Sequence, residues 1–198
     1  MSRLVLASAS TSRAAVLKAA GIDVTIDAAG IDENIIKTES QTAGRDAAAC
    51  ALLLAEAKGR AVTPRHPGAL ILGADQMLEC AGVWFDKPID RAAARAQLIT
   101  LSGKQHELIS TAVILRDGKV LWRAVERPRL TMRSLSPEFL DDYMNAVGDR
   151  VLRSVGCYEL ESLGAQLFDR VEGDYFSILG LPLLPLMAFL RGEGVLSA

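Results

Sequence analysis

The chain has 198 residues, of which 50% are apolar and 23% charged, with a formal net charge of -2. This is the balance of a globular protein of one domain, or of two small lobes sharing a core. Without a block of lysines or arginines it lacks the electrostatic footprint of a nucleic-acid binder, leaving room only for a local cationic pocket. Its longest apolar run, 178–190, is interrupted by Pro182 and Pro185 and is too short to span a bilayer.

The opening segment MSRLVLASAS carries one arginine and a brief apolar stretch, which makes a poor signal peptide. Residues 4–7 read as a short buried strand, followed by a small-residue loop over 8–12 and a helix over 13–20 stopped by Gly21. Residues 22–27 alternate as a second strand, and a polar segment with Asp32, Glu33 and Lys37 follows. An Ala- and Leu-rich helix is expected over 46–61. The apolar run 69–74 predicts a central strand ending at Asp75, with residues 76–80 and 83–85 forming a hairpin around Gly82. Small residues at the strand end would let a ligand approach closely.

Asp90 caps a helix over 91–101 that stops at Ser102-Gly103. Long strands over 107–115 and 120–132 are joined at Asp117-Gly118, a strong hairpin signal. Ser136-Pro137 starts a helix that runs to Val147. A further strand covers 165–171, and a last helix runs from 182 or 183 to 190. No linker or repeat divides the chain, so residues 1–198 are expected to form one α/β domain with a mixed sheet.

Three widely spaced cysteines, Cys50, Cys80 and Cys157, include no CxxC and point to buried reduced thiols in a cytoplasmic protein. With only two histidines, His66 and His106, His-rich metal sites are excluded. Base catalysis then falls to a carboxylate. His106 reads as a structural histidine or, less simply, a catalyst.

Asp75 at a strand end is an N-cap, a structural charge or a catalytic group, and Lys87, returned by the Gly82 turn, favours the third. The loop Ser8-Ala9-Ser10-Thr11-Ser12-Arg13 lies between a strand and a helix N-terminus, where backbone N–H groups and small hydroxylated residues suit a phosphate. Its bland alternative is a serine-capped turn, and it is not a Walker loop. Lys58 is a solvated helix lysine unless its helix lines the same cleft as Asp75. Glu33 is a surface acid or, with Asp75, a holder of Mg²⁺ and orienter of water. Lys58, Lys87 and Arg13 would then neutralise phosphates. Glu161, in a glycine-flanked loop, is a solvated acid or a reader of a base edge. Glu172-Gly173-Asp174-Tyr175 and Gly180-Leu181-Pro182 read as loop and turn chemistry.

Taken in order, LASASTSR, Asp32-Glu33, LAEAK, GADQ, DKP, LSGKQH, EGDY and GLPL resemble the Maf family of nucleoside triphosphate pyrophosphatases. The resemblance covers nearly the whole chain. It implies an α/β fold with an elongated mixed central sheet flanked by helices, and two lobes around a deep cleft. It also implies a cytoplasmic, often dimeric enzyme that uses a divalent metal (Mg²⁺, Mn²⁺ or Co²⁺) to split a nucleoside triphosphate into monophosphate and pyrophosphate. Family members are associated with removal of noncanonical nucleotides and with restraint of septum formation. By position, Asp75 matches the catalytic acid, and Lys58 and Lys87 match phosphate-binding lysines. Ser8 and Arg13 match the N-terminal loop contacts, with Ser10 beside them, and Glu33 matches a second acid near the metal. Ser12, Gln76 and Glu161 match positions that distinguish subfamilies. Gln76 and Glu161 look like the branch acting on 7-methyl-GTP, whereas Thr11-Ser12 departs from the usual proline-arginine or proline-tryptophan. A nucleotide-binding regulator without catalysis is the alternative from another class.

Overall fold

The computed structural model describes residues 3–197; Met1 and Ser2 of the opening segment, and Ala198, lie outside the described residues. In chain order the first elements are β1 (Leu4–Leu6), α1 (Thr11–Ala19), β2 (Thr25–Ile26), α2 (Glu33–Thr42), α3 (Ala47–Val62) and β3 (Leu70–Cys80). Next come β4 (Val83–Phe85), α4 (Arg91–Leu101), β5 (Gln105–Arg116), β6 (Lys119–Glu126) and β7 (Arg129–Met132). The last are α5 (Pro137–Val147), β8 (Phe168–Glu172), α6 (Tyr175–Ile178) and α7 (Leu183–Gly192). The fold is mixed α/β, with an open central sheet and flanking helices. No helix among the described residues is long and apolar enough to cross a membrane.

Elements with strong local signals form where the residues place them. Asp46, Asp90 and Ser136 accept hydrogen bonds from the backbone N–H groups of Ala49, Ala93 and Phe139, capping α3, α4 and α5. The β5–β6 turn puts Asp117 at φ 48° and Gly118 at φ 79°, the paired left-handed conformation of a tight hairpin.

Five expectations are corrected. The polar segment after β2 is the helix α2, capped by Asp32 on the Asn34 N–H at 3.0 Å. Only Ser40 of α2 is buried, and packing on α3 supports the helix. Second, β3 does not end at Asp75 but continues as one 11-residue strand to Cys80. Third, the long strand expected over 120–132 is broken into β6 and β7 at Arg127-Pro128, where proline has no N–H for a ladder. Fourth, residues 163–167 form a 3₁₀ turn, so β8 begins only at Phe168. The second strand is also shorter than read, since only Thr25 and Ile26 pair with β1.

The chain divides into two compact units. The first comprises the described residues up to Gln76, Ser110–Glu126 and those from Asp174 on. Its strands run β2-β1-β3-β5, with β6 antiparallel to β5 and β1 parallel to both β2 and β3. Because side chains alternate along a strand, each strand feeds two cores. Leu4, Leu6, Leu70, Leu72 and Ala74 pack with Val16 and Leu17 of α1 and Leu186 and Leu190 of α7. Val5, Ala7 and Ile71 pack with Ala55 and Val62 of α3 and with Val113 and Leu115 of β5. Both faces of β1 and β3 are therefore covered, as expected of parallel strands.

The second unit comprises Met77–Ile109 and Arg127–Gly173. There β4 folds back on β3 as the expected hairpin, with Leu78 opposite Phe85. β7 pairs antiparallel with both β5 and β8. The helices α4 and α5 are joined by the Arg91 guanidinium donating to the Met144 carbonyl at 2.8 Å. Cys50 of the first unit and Cys80 and Cys157 of the second are buried thiols.

His106 belongs to the core of this second unit. Its Nε2 lies 2.8 Å from the Tyr158 hydroxyl, and its ring contacts Phe168. Burial pulls its pKa down to about 4. The unfolded chain takes up a proton near the ordinary value of 6.5, whereas the folded chain takes it up only near 4, so stability falls as pH drops through that window. We expect thermal melts of the wild type to lose stability between pH 6.5 and 4, by up to about 3 kcal/mol, and His106→Gln to flatten that loss. Equal pH dependence of the two proteins would contradict it.

Candidate active site

The site is built on the α3-facing side of the sheet in the first unit. Along β3, Ile71, Gly73 and Asp75 share this face, while Leu70, Leu72, Ala74 and Gln76 share the other. An α-carbon branch on Gly73 would lie 2.0 Å from the Ala55 carbonyl oxygen, and one on Gly59 would lie 2.3 Å from Leu115 Cδ1. These two glycines let α3 lie close against the strands. Gly73 thus admits a helix backbone rather than a ligand. On α3, Ala47, Ala51, Leu54, Ala55, Lys58 and Val62 form the buried stripe. Lys58 thus occupies a core position of its helix, contrary to the ordinary solvated lysine.

Lys58 Nζ donates to Asp75 Oδ1 at 2.6 Å and meets Glu33 Oε1, from the first turn of α2, at 2.7 Å. The Lys58 and Asp75 side chains are only 11% and 7% exposed, whereas Glu33 is 41% exposed. One ammonium therefore bridges two acids at the border between core and solvent. Thr111 of β5 fixes the backbone beneath them, its hydroxyl shared between the Ala51 carbonyl at 3.0 Å and the Asp75 carbonyl at 3.3 Å.

The loop before α1 brings a second cation. Ser10 caps the helix by accepting from the Arg13 N–H at 3.3 Å, and Ser8 Oγ accepts from the Ser10 N–H at 3.2 Å. The Arg13 side chain is buried; its Nη1 donates to Ser8 Oγ at 3.0 Å and its Nε to the Gly180 carbonyl at 2.8 Å. Burial pulls the Arg13 pKa down, while Asp75 and Glu33 pull it up. A guanidinium stays charged under such competition. Ser8 and Ser10 act as acceptors in these bonds, so each hydroxyl keeps its proton for an anion. Ser12 is exposed on the first turn of α1.

Gln76, on the opposite face of β3, has its amide nitrogen committed. Nε2 lies 2.8 Å from Ser110 Oγ, 3.1 Å from the Ser177 carbonyl and 3.0 Å from the Ile178 carbonyl. Ser110, Thr111, Ser177 and Gly180 were assigned no role from sequence. A buried hydroxyl pair in the middle of β5, flanked by apolar residues, was the available signal.

The structure thus brings together Ser8, Ser10, Arg13, Glu33, Lys58, Asp75 and Gln76 within one unit. Lys87 lies in the second unit, exposed in the connection between β4 and α4, and Glu161 lies there in an exposed turn. No group of three or more His, Cys, Asp or Glu side chains able to hold a metal occurs among the described residues.

A buried strand acid bridged to a helix lysine, beside a buried arginine at a helix N-terminus, defines an α/β protein whose charged groups suit a polyanion. Comparison with known proteins is more specific. The family model described as Maf-like protein matches residues 3–193. A nucleoside triphosphate pyrophosphatase of Paramagnetospirillum magneticum is 54% identical over 192 residues, covering 97% of this chain and 99% of its own. A nucleoside triphosphate pyrophosphatase of Granulibacter bethesdensis is 46% identical over 195 residues, with 98% and 99% covered. A 7-methyl-GTP pyrophosphatase of Mesorhizobium japonicum is 48% identical over 194 residues, with 98% of each chain covered. The chain belongs to the Maf family.

Proposed function

We propose that residues 1–198 act as a single catalytic domain, a cytoplasmic nucleoside triphosphate pyrophosphatase that hydrolyses its substrate to a monophosphate and pyrophosphate. The observation that carries this reading is the Lys58 ammonium held between Asp75 and Glu33, with Arg13 close enough for both acids to act on it. The names of the relatives support the reaction class.

In this mechanism a water oxygen bonds to the α-phosphorus, its proton passes to Asp75, and the α–β bridging P–O bond breaks to release pyrophosphate. Lys58 holds the Asp75 carboxylate in place. Arg13, with the hydroxyl protons of Ser8 and Ser10, balances charge on the phosphates. Asp75 and Glu33 are hard oxygen donors and would hold a divalent ion such as Mg²⁺ or Mn²⁺ (or Co²⁺). When bound, that ion supplies charge neutralisation at the phosphate oxygens. Lys87 is retained as a phosphate-binding lysine. Ser12, Glu161 and the remaining amide oxygen of Gln76 are retained as determinants of base choice. A homodimer, and no engagement of nucleic acid or membrane, complete the proposal.

A 7-methyl-GTP preference is the second reading, favoured by Gln76 and by the relative of that name. A panel of canonical, modified and 7-methylated nucleoside triphosphates at fixed Mg²⁺ tests both. Pyrophosphate is the expected product, and orthophosphate is expected to appear only after inorganic pyrophosphatase is added. Direct release of orthophosphate would replace the pyrophosphatase reading with stepwise removal of the terminal phosphate.

A further inference from the structure

The segment from Asp174 to Gly180 has no role in the reaction described so far, yet it touches two residues that border the site. Asp174 Oδ2 accepts from both the backbone N–H and the hydroxyl of Ser177, each at 2.7 Å. Ser177 is fully buried. Its carbonyl in turn accepts from Ser110 Oγ at 2.5 Å and from Gln76 Nε2 at 3.1 Å. Since the Ser110 hydrogen is spent on that carbonyl, Ser110 can only accept from Gln76, and the two amide hydrogens of Gln76 face three acceptors. The amide is therefore locked, and the segment is locked to β3 and β5.

Three residues after Ser177, Gly180 has φ 98°, a conformation that side chains disfavour. This turn aims the Gly180 carbonyl at Arg13 Nε. With Nε on Gly180 and Nη1 on Ser8, both sides of the guanidinium are set. Neither of these two bonds uses Nη2.

We propose that Asp174 is a positioning residue: by holding Ser177 it fixes the carbonyl of Gly180, which orients the Arg13 guanidinium toward the triphosphate. The proposal rests on the reading of Arg13 as a phosphate-binding group. Asp174 itself touches neither the substrate nor the acid.

The test compares Asp174→Ala, Asp174→Asn, Arg13→Lys and Asp174→Ala combined with Arg13→Lys. The readouts are kcat, KM, the Kd of a non-hydrolysable α,β-methylene nucleoside triphosphate, and the melting temperature. Asp174→Ala is expected to raise KM and Kd about tenfold, the effect of losing an oriented charge-assisted hydrogen bond, with kcat changed much less. Asp174→Asn, which keeps the acceptor oxygen for Ser177, is expected to restore most of the affinity. In the Arg13→Lys background, Asp174→Ala should add little, because lysine has no Nε to be held by Gly180. Full multiplication of the two effects, or an unchanged Kd in Asp174→Ala, would overturn the proposal. If Asp174→Ala does not fold, Ser177→Ala removes only the hydroxyl bond and carries the same comparison with a smaller factor. A normal Kd for Arg13→Lys would overturn the underlying reading of Arg13 as well. Binding without turnover in the wild type would refute the pyrophosphatase reading while leaving the Kd comparison intact.

Discussion

Asp75→Asn is expected to purify as a folded protein and to lose nucleotide hydrolysis by a factor of about 10²–10⁴, the usual contribution of a positioned base. The amide oxygen of asparagine still accepts from Lys58 Nζ, and Glu33 remains as the counter-charge 2.7 Å from that ammonium. The substitution therefore removes the proton acceptor and little of the packing. Its melting temperature should stay close to that of the wild type, and binding of a non-hydrolysable triphosphate should persist. Near-normal turnover of the purified variant would remove Asp75 from the proposed mechanism. Retained binding without turnover would also separate catalysis from a purely regulatory nucleotide-binding role.

Lys58→Met should behave differently, with both stability and activity falling. The Lys58 and Asp75 side chains are 11% and 7% exposed, so methionine leaves a nearly buried carboxylate without its ammonium. Removing one partner of a buried ion pair costs about 3–5 kcal/mol, which corresponds to a fall in melting temperature of roughly 10 °C for a chain of this size. Glu33, being 41% exposed, keeps access to water and adds less to that loss. Activity should drop at least as far as in Asp75→Asn, because the acid loses its orientation and the phosphates lose a cation. A variant that melts like the wild type would show that the ammonium contributes no net stability where it sits.

The local signals in the chain were enough for much of the architecture. Side-chain caps at Asp46, Asp90 and Ser136 and the Asp117-Gly118 turn act within a few residues, and the three capped helices and the turn fall where the local pattern puts them. The errors arose where a neighbour outweighs the local pattern. The helix α2 is polar on most of its surface and takes its support from α3. β3 continues beyond Asp75 because Leu78, Glu79 and Cys80 pair in register with β4. Pro128 splits a continuous β pattern because the missing N–H breaks the ladder whatever the side chains favour.

The candidate site was legible in parts. The ordered motifs pointed to Asp75, Lys58, Arg13, Ser8 and Glu33 as residues of a phosphate chemistry. Lys58 carries a further signal in its spacing, since it falls in the i, i+3, i+4 progression of buried positions along α3. Gln76 follows the acid directly in the chain, yet alternation places it on the other face of the sheet, against Ser110 and Ser177.

By itself, then, the sequence determined the elements with strong local signals, the capped starts of α3, α4 and α5 and the identity of the charged groups, since each depends on nearby residues or on motif order. The tertiary structure decided that one ammonium serves two acids, that Arg13 is buried against Gly180, and that Gly73 yields its space to the backbone of α3. These are contacts between residues far apart in the chain. The closeness of helices and loops to the sheet sets them, and that quantity is not encoded in a short stretch of residues.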